Sequence, residues 1–367
     1  MMHIAIVGCG QLSRMLALAG LPLGFTFSFI AAPREDTRCV TGLGTTATWQ
    51  PGQPVGHLYQ ALGQPDCVTV EKEQVDAGLL TQLQHYCPVL PNPEAVATCG
   101  HRWRERQLLV RLGIPCAAHR YDTPASQCVA SLSLPLVAKS CRDGYDGKNQ
   151  WRLDTPEDVA SFDRQQLYRD CIIEQRIPFE RELSQVSVRS RTGRICHYPL
   201  TDNHHENGIL VQSVAPAVDV PATIASQAQD MISRIMEALD YVGVMAMECF
   251  LVSGELLVNE LAPRVHNSGH WTQSGSATSQ FENHVRAIAG LELGGTDMHG
   301  VCGMLNLIGT QRPPVDLLSA STTLHWYGKT VRPARKLGHV NFRARSHPEL
   351  VQEIGRFQQS CTRVQPA

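Results

Sequence analysis

The sequence lacks a dominant charge: 32 lysines and arginines stand against 34 aspartates and glutamates in 367 residues. A near-neutral chain presents no broad field to attract nucleic acid or anionic lipid, so small molecules are the expected partners. No run of about 18 apolar residues is present, which argues against a membrane-spanning helix. The opening stretch MMHIAIVGCG has no charged segment followed by an apolar stretch and a cleavage site. Thirteen cysteines are scattered from Cys9 to Cys361 without a C-x-x-C pair, and the odd number argues against a disulfide framework or a structural zinc site. Most read as small buried hydrophobes, and a reducing cytoplasm is the expected location. Hydrophobic content of 43% and charge of 18% then describe an ordinary globular chain, long enough for two or three domains of roughly 100 to 200 residues each.

Along the chain, HIAIVGCGQLSRMLALAG reads as a buried strand, a glycine turn and a helix with Leu12, Met15, Leu16 and Ala19 at helical spacing. FTFSFIAAP is a second strand, making a βαβ unit with a parallel sheet. Pro88, Pro91 and Pro93 suggest a linker near residue 95. Beyond it, RERQLLVRLGIP reads as an amphipathic helix, LPLVAKS as a strand delivering Lys139 to the glycine-bearing loop RDGYDGKNQ, and DCIIEQRI as a strand ending on Glu174. The segment 224–239 is a core-packing helix, with Ala228, Met231, Ile232, Ile235, Met236 and Leu239 on one face. YVGVMAMECFLVSGELLVNELAPR reads as a hairpin around Ser253-Gly254. A helix is expected near Phe281 to Ile288, and the last 65 or so residues read as a small β-rich tail.

The hairpin makes a chemical demand. With a three-residue turn from Ser253 to Glu255, Glu248 falls opposite Glu260, with Cβ atoms about 4.5 to 5.5 Å apart. Facing carboxylates repel unless one is protonated or a cation sits between them, and oxygen ligands suit Mg²⁺ carrying phosphates. A different turn length would leave one glutamate solvated. The next stretch, APRVHNSGH, favours the functional reading, because it gathers the donors Arg264, His266, Asn267, Ser268 and His270 directly after the carboxylates. Other signals are weaker. GCGQLS is a lone glycine fingerprint, and the second strand ends on Ala31-Ala32 where a ribose-binding acid belongs, which disfavours a nicotinamide site. His204-His205 lacks metal spacing. Lys329, Arg332, Arg335 and Lys336 crowd one segment, ordinarily a solvated face, although a small phosphate suits some of them.

At this point GYDGKNQW, EQRI, GVMAMECF and NELAPRVHNSGHWTQ closely resemble the N5-carboxyaminoimidazole ribonucleotide synthetases of the ATP-grasp superfamily. GCGQLSRML, VTVEKEQV and HWYGKTVRPARKLGH extend the resemblance over nearly the whole chain. It implies a mixed α/β and α+β architecture: a Rossmann-like N-terminal substrate domain at 1–95, a central ATP-grasp fold at 96–290, and a small β-rich C-terminal domain at 300–367. It further implies an ATP-dependent ligase that carboxylates 5-aminoimidazole ribonucleotide with bicarbonate in purine biosynthesis, with ATP and Mg²⁺ as cofactors. A homodimer is expected.

Carried over by position, the resemblance makes Arg102 and Lys139 the phosphate-neutralising cations, under a loop comprising Gly144, Tyr145, Asp146, Gly147, Lys148, Asn149 and Gln150. Glu174, Gln175, Arg176 and Ile177 become the adenine edge, Glu182 the ribose contact and His205 a further nucleotide contact. Glu248 and Glu260 become metal ligands with Asn259 beside them. Tyr145 and Asp146 face the ribonucleotide, and Glu73, Arg264, His266, Asn267 and Ser268 line its site or that of carboxyphosphate. Of these, Arg264, His266 and Asn267 are the expected catalytic residues. Lys329, Arg335 and Lys336 are candidates for the ribonucleotide phosphate. Asp143, Asn149, Arg176 and His101 depart from the usual pattern, the first three from glycine and the last from aspartate. Asn tolerates positive φ, so Asn149 is compatible with the loop. The alternatives are an ATP-grasp ligase with another acceptor, such as a formate-dependent glycinamide ribonucleotide transformylase or a biotin carboxylase, and a nucleotide-binding module without turnover.

Overall fold

The computed structural model describes residues 2–142, 144 and 149–364. Three sheets organise them. The first is wholly parallel, with strands Thr45–Thr48, Thr26–Ala31, His3–Val7 and Cys67–Val70 in that order. Its inner strands are largely apolar because they are covered on both faces, as Ile4, Ala5, Ile6 and Phe29 are. The glycine turn after the first strand admits a carboxylate rather than a cofactor. Glu71 accepts from Gly10 N–H at 2.6 Å and Ser13 N–H at 2.9 Å, and a Cβ on Gly8 or Gly10 would fall 2.4 or 2.8 Å from that side chain.

The second sheet has four antiparallel strands, His119–Tyr121, Cys171–Gln175, Leu136–Ser140 and Gln150–Leu153. The third is the largest, running Glu255–Ala262, Gly243–Val252, Arg181–Arg189, Thr201–Glu206, Ile209–Ala215, Val301–Ile308, Lys336–Ala344 and Thr322–Trp326. The tail strands are therefore hydrogen-bonded into the central sheet, through Val301–Ile308 beside Ile209–Ala215. They are covered by a helix, His347–Val364, which joins the strands of the β-rich tail. Its Leu350, Ile354 and Phe357 pack against Val301, Val340 and Phe342, an i, i+4, i+7 stripe in an otherwise polar segment.

The proline run is not an open linker at residue 95. Pro93 starts a helix, Pro93–Cys99, where a missing N–H costs nothing, and Asn92 caps it by accepting from Ala95 N–H. The Asn92 amide also donates to Leu239 O at 2.8 Å, tying this helix to the end of Ala222–Ala238. That second helix buries Ala228, Met231, Ile232, Ile235 and Met236 as its periodicity predicts. All thirteen cysteines are free, and ten are buried. One apolar core joins the first sheet to the third, since Leu16, Phe27 and Phe29 share it with Trp271, Phe281 and Met304.

Candidate active site

The hairpin turn has two residues, not three. Ser253 and Gly254 take φ of +49° and +81°, the pair of positive values that a tight turn between twisted strands requires, and Val252 pairs with Glu255. That register alone would misalign the glutamates. A bulge restores them: Cys249 faces Val258, Glu248 faces Glu260, and Asn259 is the extra residue. The bulge also turns Asn259 to use, because its carbonyl accepts from Arg106 Nη2 at 2.6 Å and its Oδ1 from Lys139 Nζ at 3.1 Å.

Burial pushes the Glu248 carboxyl up, and the facing charge of Glu260 adds to the effect. Glu260 reaches Arg102 Nη1 at 3.1 Å, while Glu248 lies 3.5 Å from His266 Nε2. His266 Nδ1 accepts from Ser268 N–H at 3.3 Å and lies 2.9 Å from Ser268 Oγ. This network assigns the ring proton to Nε2, aimed at Glu248. Burial, then Arg264, holds His266 well below its usual pKa, so the ring is neutral. Ser268 is fully buried beneath this histidine and acts through it.

Lys139 is held by Glu174 at 2.8 Å. Glu174 also receives Arg106 Nε at 2.7 Å, and Arg106 Nη1 donates to Glu105 at 2.6 Å. The Glu174 carboxylate is thus bonded to both Lys139 and Arg106. Glu105 and Arg106 were not anticipated. Their signal was in the helix Arg102–Arg111, where Arg102, Glu105, Arg106 and Leu109 follow i, i+3, i+4, i+7 and all are buried. Charged residues sharing the apolar face of a helix need partners.

Glu182 and His205 meet at 2.6 Å. Burial alone would lower His205, but the Glu182 hydrogen bond and the charge of Glu248 carry it above its usual value. Both line a cleft of about 450 Å³ that also includes Phe179, Arg181, Asn203 and Gln212. Gln175 and Gln150 are exposed, Ile177 is half-buried, and Arg176 pairs with Asp154 at 2.6 Å on the surface. A Cβ on Gly144 would stand 3.0 Å from Arg102. Asn149 takes φ of +54°, and its carbonyl accepts from Ser140 N–H. Asp143, Tyr145, Asp146, Gly147 and Lys148 lie outside the described residues.

Beyond the carboxylates, Arg264 Nε bonds Glu73 at 2.5 Å. Burial would raise Glu73, yet Arg264 holds it at about 2. Asn267 exchanges both amide bonds with Asn306, at 3.1 and 2.7 Å. Its side chain therefore ties this segment to the strand Val301–Ile308 rather than standing open. Lys329 donates to Gln11, and Arg335 pairs with Asp36 at 3.4 Å, both against the N-terminal unit. Lys336 instead acts on the carboxylate end, where its charge lowers Glu248 and His266.

Two α+β lobes, one carrying Lys139 and the other the Glu248–Glu260 hairpin, define an ATP-grasp enzyme. An ATP-grasp domain model matches residues 107–281, a ribonucleotide synthetase preATP-grasp domain model 1–99, and a phosphoribosylaminoimidazole carboxylase C-terminal domain model 302–353. The chain is 42% identical to the N5-carboxyaminoimidazole ribonucleotide synthase of Pseudomonas aeruginosa over 96% of its length and 98% of the relative's. It is 39% identical to that of Escherichia coli, over 93% and 90%. The crystal structure of the Thermus thermophilus synthetase superposes with a TM-score of 0.91 at 39% identity, covering 97% of this chain and 98% of that one. An Aspergillus clavatus synthase solved with ADP and 5-aminoimidazole ribonucleotide superposes at 0.87 and 27% identity, covering 99% of each chain. The chain belongs to the N5-carboxyaminoimidazole ribonucleotide synthase family.

Proposed function

We propose that the protein carboxylates 5-aminoimidazole ribonucleotide with bicarbonate, converting ATP to ADP and phosphate, as a ligase of purine (IMP) biosynthesis. The observation that carries this reading is the pairing of Glu248 with Glu260, beside Arg102 and Lys139 on one side and the Arg264–Glu73 pair and His266 on the other. In the reaction a bicarbonate oxygen attacks the γ-phosphorus and ADP leaves. The ribonucleotide amine then takes the carboxyl carbon from carboxyphosphate, directly or after its collapse to CO₂, losing a proton as phosphate departs.

Arg102 and Lys139 would neutralise the ATP phosphates, and the loop 144–150 would supply backbone N–H groups to them. The strand through Glu174 to Ile177 would border adenine, and Glu182 with His205 would take the ribose hydroxyls. Facing carboxylates, one with its pKa raised, fit a divalent cation, so Glu248 and Glu260 would hold Mg²⁺ with Asn259 nearby. When bound, Mg²⁺ supplies charge neutralisation at the transferring phosphate. Arg264 and the Nε2–H of His266 would hold oxygens whose charge grows as the phosphate leaves. Asn267 and Ser268 would position that segment. Glu73 would contact the ribonucleotide, as would Tyr145 and Asp146, and Lys329, Arg335 and Lys336 would meet its phosphate. The division at 1–95, 96–290 and 300–367, a homodimer and a cytoplasmic location belong to the same reading. No helix among the described residues is long and apolar enough to cross a membrane.

The test is ADP release. Adding aminoimidazole ribonucleotide and bicarbonate to enzyme and ATP should raise the rate sharply, and an unchanged rate would sink the assignment.

A further inference from the structure

Three side chains distant in sequence meet at the foot of the glycine-bearing loop. His101 precedes the helix Arg102–Arg111, Cys141 follows the strand Leu136–Ser140, and Asp170 precedes the strand Cys171–Gln175. One possible ligand atom from each lies within 4.8 Å of the others, and His101 Nε2 stands 3.4 Å from Asp170 Oδ1. His101 is 7% and Cys141 2% exposed, whereas the Asp170 side chain is 47% exposed. The cluster therefore has a closed back and an open mouth.

The His101 ring presents Nε2 to Asp170, lies edge-on to Tyr121, and encloses its other nitrogen. Its Nδ1 is buried with no hydrogen-bond partner among the described residues, which is uncommon for a buried polar atom. Burial lowers its pKa against the pull of Asp170, leaving the neutral ring that a metal requires. The backbone around the three residues is already tied: Cys141 N–H donates to Asp170 O at 2.9 Å, and Arg102 N–H to Cys141 O at 3.0 Å. Asp170 is also met by Tyr121 Oη at 3.2 Å and Arg142 Nε at 3.7 Å, contacts that an ion would displace.

We propose that His101, Cys141 and Asp170 form a binding site for one zinc-class divalent ion, with nitrogen, sulfur and oxygen donors and a fourth position open to water. Thiol and imidazole suit zinc rather than magnesium or calcium. With metal–ligand bonds of about 2.0 to 2.3 Å, tetrahedral donors stand roughly 3.3 to 3.8 Å apart, so the cluster must close by about 1 Å, a shift that half-exposed Asp170 can supply. On binding, the Cys141 S–H bond breaks, an S–metal bond forms, and the proton passes to solvent. Burial otherwise pushes this thiol up to about 12, with Trp103 N–H opposing, so uptake releases a proton at neutral pH. The thiolate and carboxylate together cancel the charge of the ion, beside Arg142 and Arg104, which press on His101. An occupied site ties the entrance of the loop to the helix that carries Arg102.

The full chain, stripped with a chelator and kept in excess Mg²⁺, is titrated with Co²⁺ and then with Zn²⁺ against a chromophoric chelator. The expected result is one ion per chain, with a thiolate-to-cobalt charge-transfer band and tetrahedral visible bands that Zn²⁺ removes. Cys141→Ser should abolish the charge-transfer band, and Asp170→Asn should weaken Zn²⁺ binding at least about 10-fold. Asp170→Asn alters a half-exposed side chain, so an unchanged melting curve separates lost binding from lost fold. Zn²⁺ binding as tight in both variants as in the parent would place the ion on other cysteines and overturn the proposal. So would the absence of one-per-chain binding to the parent at sub-millimolar Zn²⁺.

Discussion

Two pairs of carboxylates lie within reach of the same bulge, and they are treated oppositely. Glu105 and Glu174 are bridged by Arg106, which bonds both and the carbonyl of Asn259, and Lys139 adds a second cation to Glu174. Burial still lifts Glu105 to about 7, yet its remaining oxygen accepts from Leu261 N–H at 2.8 Å. Glu248 and Glu260 instead face each other across a strand pair, with a neutral histidine beside one and Arg102 beside the other. A pair with its cation built in holds structure. A pair that no side-chain cation among the described residues bridges, Arg102 meeting Glu260 alone, keeps a repulsion that a divalent ion relieves.

Breaking the first pair has the largest expected effect. Arg106→Met leaves Glu105 and Glu174 buried without their shared partner, and urea denaturation should register a loss of about 3 to 5 kcal/mol. Breaking the second should spare the fold and stop the chemistry. Glu260→Gln is expected to lower kcat about 10²-fold or more, because a ligand for the ion at the transferring phosphate is lost, while relief of the repulsion with Glu248 offsets the weakened Arg102 contact and leaves the unfolding midpoint nearly unchanged. Activity within threefold of the parent would remove this hairpin from the catalytic reading.

Buried neutral histidines sharpen the contrast. His325 and His284 are held near 4 by burial, and His270 and His339 well below the usual 6.5. The unfolded chain therefore binds more protons than the folded one between those values. Their stabilisation is complete above pH 6.5 and is lost as pH falls toward about 4. Melting temperatures measured across that range should fall steadily with acid, and less steeply in His325→Phe. A flat profile would contradict the burial of neutral rings. The smallest effect is expected at Asn149→Gly, since Asn already accepts positive φ: kcat should change by less than about threefold. A larger gain would mean that Asn149 limits closure of the loop.

The opposition of Glu248 and Glu260 was legible along the chain, but by the wrong route. A three-residue turn and a two-residue turn followed by a bulge yield the same pairing, and nothing in VSGELLVNE distinguishes them locally. The difference matters, because only the bulge makes Asn259 an anchor for Arg106 and Lys139. The tail reads as β-rich along the chain, and its final helix is hard to see there because its few apolar residues become a stripe only against the sheet they cover. The glycine turn at Gly8 to Gly10 invites phosphate in isolation, while Glu71, more than sixty residues later, fills it.

Periodicity, turn chemistry and motif spacing act over a few residues, so the chain alone determined its main helices, most strands, the family resemblance and the acidic hairpin. Partners of buried charge act across the fold. The commitment of Glu174 to Lys139 and Arg106, the amide pair of Asn267 with Asn306, and the meeting of His101, Cys141 and Asp170 were decided only by tertiary packing. A low-dielectric interior forces each polar group to find whichever partner the topology brings near, and that distance has no counterpart in sequence separation.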